Sequence, residues 1–93
     1  EIFYCKADDN YTKLYLKDNT EFLLARTLKE IDEMLIPYDF LRVHKSSLVN
    51  KMFVQALSAD GVITLTNSVC LDVSRRRIAE VRQFMYGDSS NYL

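Results

Sequence analysis

Two stretches of the chain concentrate side chains that can bind anions. Arg42-Val43-His44-Lys45-Ser46-Ser47-Leu48-Val49-Asn50-Lys51 carries three positive charges and a histidine with no acid, and Val73 to Arg82 carries Arg75, Arg76, Arg77 and Arg82 against a single Glu80. The two runs hold seven of the twelve Lys and Arg but one of the thirteen Asp and Glu, so the rest of the chain sums to −7 while the whole carries only −1. A phosphate backbone is a dense line of negative charge, so a binder needs a positive face at the contact more than a positive total. Lys45 can bond phosphate or a guanine edge, Ser46 and Ser47 can bond phosphate, and His44 can donate to either.

Arg75, Arg76 and Arg77 are expected in the first turn of a helix capped by Ser74, where the helix dipole favours acids. That choice of charge suits phosphate oxygens beside free helix N–H groups. A solvated cationic helix face is the plainer reading. His44 reads equally as a packed, hydrogen-bonded ring, and Asn50 as a turn residue bonding its own backbone. Phe40 and Leu41 on one side and Leu48 and Val49 on the other would anchor Arg42 to Ser47 as a rigid protrusion.

Catalytic signals are thin. The lone histidine has no legible nucleophile partner, and there is no Gly-rich phosphate loop, no CxxC and no HExxH, so neither an enzyme nor a bound cofactor or metal is expected. Asp8-Asp9-Asn10 lacks the remaining ligands of a calcium loop and reads as a solvated turn. Tyr4, Tyr15, Phe22, Phe40 and Phe53 suit core positions, whereas Tyr11 can lie exposed beside the acidic turn.

The elements that must position these groups are mostly short strands. With 48% hydrophobic residues, 27% charged residues, two Gly and one Pro in 93 residues, the chain can bury one core. Strands are expected over Ile2 to Cys5, Tyr11 to Leu16, Glu21 to Ala25, Phe40 to Val43, Met52 to Leu57, Val62 to Thr66 and Val69 to Val73, with Ser47 to Val49 a brief apolar return. Thr27-Leu28-Lys29-Glu30 has the form of a capping box, opening a helix with Leu28, Ile31, Met34 and Leu35 on one face and Pro37 at its end. Asp60-Gly61 signals a hairpin, and Ile78, Val81, Phe84 and Met85 form the apolar face of a final helix. Cys5 and Cys70 read as free, buried thiols. No membrane span or signal peptide is legible, so a cytoplasmic protein is expected. The abrupt opening at Glu1 suggests the last domain of a longer chain, and Gly87 to Asn91 reads as a frayed tail.

The chain resembles the LytTR family, the β-rich DNA-binding output domain found mostly at the C-terminus of bacterial response regulators. Phe40-Leu41-Arg42-Val43-His44-Lys45-Ser46-Ser47-Leu48-Val49-Asn50 is similar to the family's F-x-R-x-H-[RK]-S-x-x-V-N signature, and Val73-Ser74-Arg75-Arg76-Arg77 to its closing segment. Ala7 to Thr12 and Thr27 to Glu30 support these in the expected order. The resemblance implies an elongated stack of small β-sheets with one short central helix, here followed by a C-terminal helix. It implies DNA contact through loops between strands entering successive major grooves, at Tyr11, at His44 and Lys45, and at Arg75 and Arg76, with Ser46 beside them. It further implies a LytTR-type domain over residues 1–86 with a tail over 87–93, tandem operator sites on double-stranded DNA, an upstream receiver or sensor domain and a homodimer on DNA. A module gripping an acidic protein partner, and a binder of structured RNA, are the competing readings.

Overall fold

In the computed structural model, which describes residues 1–87, the strands sort into two antiparallel sheets. β1 (Ile2–Asp8), β2 (Tyr11–Leu16), β3 (Glu21–Leu24), β4 (Phe40–His44) and β5 (Ser47–Asn50) form one sheet in the order β3-β2-β1-β5-β4. β6 (Val54–Leu57), β7 (Val62–Leu65) and β8 (Cys70–Asp72) form a second in sequence order. Among the described residues there are two α-helices, α1 (Leu28–Leu35) and α2 (Ile78–Tyr86), and the molecule measures 45 × 24 × 24 Å. The mainly β, elongated architecture expected from the sequence is present.

Each face of the larger sheet is covered, which is why its central strands carry apolar residues in succession. Cys5, Leu48 and Phe40 pack with Leu28 and Ile31 of α1 on one face. Tyr4, Val43 and Val49 pack on the other with Ile63, Leu65 and Leu71 of the smaller sheet, Val73, and Val81 of α2. The β1–β2 pairing shifts register between Ile2 and Tyr4, and this bulge turns the consecutive Phe3 and Tyr4 toward the same core. There Phe3 stacks on Phe53 at 3.9 Å between ring centroids, and Tyr4 on Tyr15 at 4.5 Å.

The capping box forms: the Glu30 N–H donates to Thr27 Oγ1 at 3.2 Å, and the Thr27 N–H donates to the Glu30 carboxylate at 2.9 Å, holding that carboxyl below its ordinary pKa. The hairpin at Asp60-Gly61 also forms, with Gly61 at φ +88°. A side chain there would be strained, and its Cβ would lie 3.1 Å from Ile78 Cδ1.

Several expectations are corrected. Phe22 is 52% exposed because β3 is an edge strand, and Met34 faces solvent because the buried stripe of α1 stops at Leu28 and Ile31 with Leu35 partly covered. Cys70 is exposed on β8, one of the two edge strands of the smaller sheet, while Cys5 is buried. Ser47 belongs to β5 and is buried, so the polar protrusion reduces to a hairpin tip at Lys45-Ser46. Arg75–Arg77 form a separate 3₁₀ turn ahead of α2, and Ser74 makes no side-chain cap. Past Gly87, the expected tail lies outside the described residues. Among the described residues no helix is long and apolar enough to cross a membrane.

Burial pushes the Cys5 thiol up to about 12. At about pH 8 a maleimide is therefore expected to modify Cys70 alone in the native protein and both cysteines after unfolding, read by mass spectrometry. Thr27→Ala is expected to cost about 1 kcal/mol in denaturant unfolding, through loss of the cap.

Candidate nucleic-acid interface

The β4–β5 hairpin turns in two residues, Lys45 and Ser46, and its short reach lets neighbouring side chains close on it. The ladder shifts register between Arg42 and His44, so Val43 and His44 both fall opposite Ser47. Val43 enters the core while His44 stays half-buried at the tip and Lys45 is exposed. The Ser46 N–H donates to His44 Nδ1 at 3.2 Å, and Ser46 Oγ lies 2.9 Å from the same nitrogen. A backbone N–H can only donate, so Nδ1 accepts and the neutral ring carries its hydrogen on Nε2. His44 thus has a ring N–H left for an external acceptor. The hydrogen-bonded ring expected from the sequence is present, and it keeps a donor that the fold does not use.

Backbone hydrogen bonds bring the other segments alongside. The Ala7 N–H donates to the Ser46 carbonyl at 2.9 Å, setting the β1–β2 tip beside the β4–β5 tip. Tyr11 stands at that first tip, opposite Asp8 in the ladder and 46% exposed. The Ser74 N–H donates to the Val43 carbonyl at 2.8 Å, tying the residue before Arg75 to the residue before His44. The turn then closes by the Arg77 N–H donating to the Ser74 carbonyl at 2.9 Å, with Arg75 and Arg76 exposed and Arg77 half-buried. The structure therefore gathers the segments of all six residues singled out in the sequence: Tyr11, His44, Lys45, Ser46, Arg75 and Arg76.

Two further residues at this end escaped the sequence reading. The fully buried Thr12 donates through Oγ1 to the Arg26 carbonyl at 2.8 Å, which places exposed Arg26 next to the β1–β2 hairpin. Arg26 also meets Glu30 at 3.8 Å. Its only sequence signal is its place just before the Thr27 cap. Asp32 of α1 is the second: burial pushes its carboxyl above the ordinary value, while Arg42 and Arg77 pull it back down. A single acid thus feels cations from both basic runs. Asp8 and Asp9 add negative charge at the β1–β2 tip, where Asp9 turns the chain at φ +55°.

Apart from Asp8 and Asp9, the surface offers hydrogen-bond donors: guanidinium groups, an amine, a ring N–H and a phenol. Such a set suits phosphate oxygens and the acceptor edges of bases. Among the described residues no group of three or more His, Cys, Asp or Glu could hold a metal ion.

A family model described as the LytTr DNA-binding domain matches residues 1–86. A response regulatory protein of Vibrio cholerae, itself uncharacterized, is 35% identical over 63 residues, covering 64% of this chain and 24% of that protein. The chain thus matches about a quarter of that curated relative's length. A solved LytTr DNA-binding domain of a methyl-accepting/DNA response regulator from Bacillus cereus superposes with a TM-score of 0.78 at 24% identity, covering 91% of this chain and 81% of that one.

Because the folded Asp32 carboxyl keeps its proton to higher pH than in the unfolded chain, its favourable contribution is full below the ordinary value and is lost as pH rises through the raised one. Asp32→Asn is expected to raise the melting temperature at neutral pH, with the gain disappearing in acid, and to strengthen duplex binding by leaving Arg42 and Arg77 uncompensated.

Proposed function

This chain belongs to the LytTr DNA-binding domain family, and we propose that it binds double-stranded DNA sequence-specifically as the output domain of a bacterial transcriptional response regulator. The single observation that carries this reading is the Ser74-to-Val43 backbone hydrogen bond, which makes neighbours of two basic segments about thirty residues apart. In the proposed contact map Lys45, Arg75 and Arg76 meet phosphate or guanine edges, Ser46 meets phosphate on turning its hydroxyl from His44, His44 donates from Nε2 to a base or phosphate acceptor, and Tyr11 contacts the adjoining backbone. Loops between strands, not a recognition helix, enter successive major grooves at tandem operator sites. The 45 Å length of the molecule is sufficient for one duplex turn of about 34 Å.

On this reading residues 1–86 are the binding domain and 87–93 a tail. The domain would act in the bacterial cytoplasm, governed by an upstream receiver or sensor domain and pairing as a homodimer on the operator. The negative total of the chain opposes this little, because the contact face is cationic and counterion release depends on the phosphates actually neutralised.

Duplexes selected by the protein from a random pool, titrated at two salt concentrations, test the map. Arg76→Ala is expected to cost about 1–3 kcal/mol of specific binding, and Lys45→Ala to lower the salt slope by about one. Unchanged affinity in both variants rejects the map. Failure to retain any duplex at moderate salt favours a module for an acidic protein partner, and preference for A-form or single-stranded RNA favours an RNA binder.

A further inference from the structure

Arg42 contributes one of the three formal charges of the first basic run, yet its guanidinium is turned inward on its own hairpin. Nε donates to the His44 carbonyl at 3.3 Å and Nη2 to the Lys45 carbonyl at 2.5 Å. A guanidinium is planar and its N–H groups form a fixed fork, so gripping two successive carbonyls fixes the orientation of both peptide planes of the turn. The opposite constraint comes from His44, whose Nδ1 accepts the Ser46 N–H. Held from Arg42 on one side and His44 on the other, the two-residue tip has one arrangement, with the Lys45 amine and His44 Nε2–H as its outward donors. Reading a base edge requires such donors to be placed before contact, whereas meeting a phosphate through a flexible amine does not.

We infer that Arg42 is a positioning residue for sequence readout, bracing the tip carbonyls so that His44 and Lys45 address base edges, and that it is not itself a phosphate ligand. The inference rests on the proposed DNA-binding reading and deepens it. It separates Arg42 from the exposed Arg75 and Arg76, whose guanidinium groups have no hydrogen-bond partner among the described residues.

The test compares wild type with Arg42→Lys and Arg42→Gln on a duplex selected by the wild type and on its scrambled counterpart, each at several salt concentrations. Thermal melts establish that both variants fold. Lysine keeps the charge but cannot reproduce the fork, so Arg42→Lys is expected to lose about tenfold or more in affinity for the selected duplex. Its affinity for the scrambled duplex and its salt slope are expected to stay at wild-type values. Amide exchange at Ser46 is expected to quicken in both variants, which reads the loosened tip without DNA. Equal losses on both duplexes with a slope lowered by about one in Arg42→Gln would make Arg42 a phosphate ligand and overturn the inference. Wild-type behaviour of Arg42→Lys would overturn it equally. A wild type that does not distinguish the two duplexes would instead overturn the sequence-specific reading, and the inference with it.

Discussion

The Ser74 N–H donates to the Val43 carbonyl across the junction between the larger sheet and the 3₁₀ turn, and the candidate interface exists because that contact holds. Bringing Arg75 and Arg76 toward Lys45 sets like charges near one another, which costs on the order of 1 kcal/mol per close pair in a watery setting. The opposing term is larger. Val43, Val73 and Val81 are all buried in the core just beneath, and each buried valine contributes about 1.5–3 kcal/mol relative to exposure. Apolar burial therefore presses together two segments that electrostatics alone would part. The result is a cluster of exposed cations that the core sets in place.

The same core holds the hairpin tips in place. β1 and β5 are covered on both faces, by α1 on one side and by the smaller sheet with α2 on the other, so the strands that lead to the tips are firmly held. Ala7 to Ser46 then locks the two tips to each other. Precision at the end of the sheet comes from rigidity in its middle. The bulge after Arg42 adds the last adjustment: Val43 remains in the core, and the next residue, His44, is half-buried at the tip.

Charges of one sign in this run have divided roles. Lys45 is exposed, whereas Arg42 is committed to backbone carbonyls and lies within the field of an acid on α1. Counting cations along a sequence cannot separate these two uses, because both are written with the same residue types. The family signature carries Arg42 and His44 two positions apart, and the hairpin shows the physical sense of that spacing: one side chain braces the turn that the other occupies.

Much of the local structure was legible in the chain itself. The Thr27–Glu30 capping box, the Asp60-Gly61 hairpin, the strand-rich plan and the segregated charge all depend on interactions within a few residues, which local residue types determine. The turns beside Tyr11, His44 and Lys45 were legible for the same reason, whereas the arginines were expected in the first turn of a helix. Only tertiary structure decided which of these segments meet. Ser74 reaches Val43 and Thr12 reaches Arg26 through hydrogen bonds between distant residues, and Cys70 is exposed because β8 is a sheet edge. It also decided that Arg75–Arg77 form a 3₁₀ turn held against β4 and that the Arg42 guanidinium faces inward. Such outcomes depend on partners that side-chain periodicity does not name, because a long-range contact is selected by the shape of the whole core and not by the residues on either side of it.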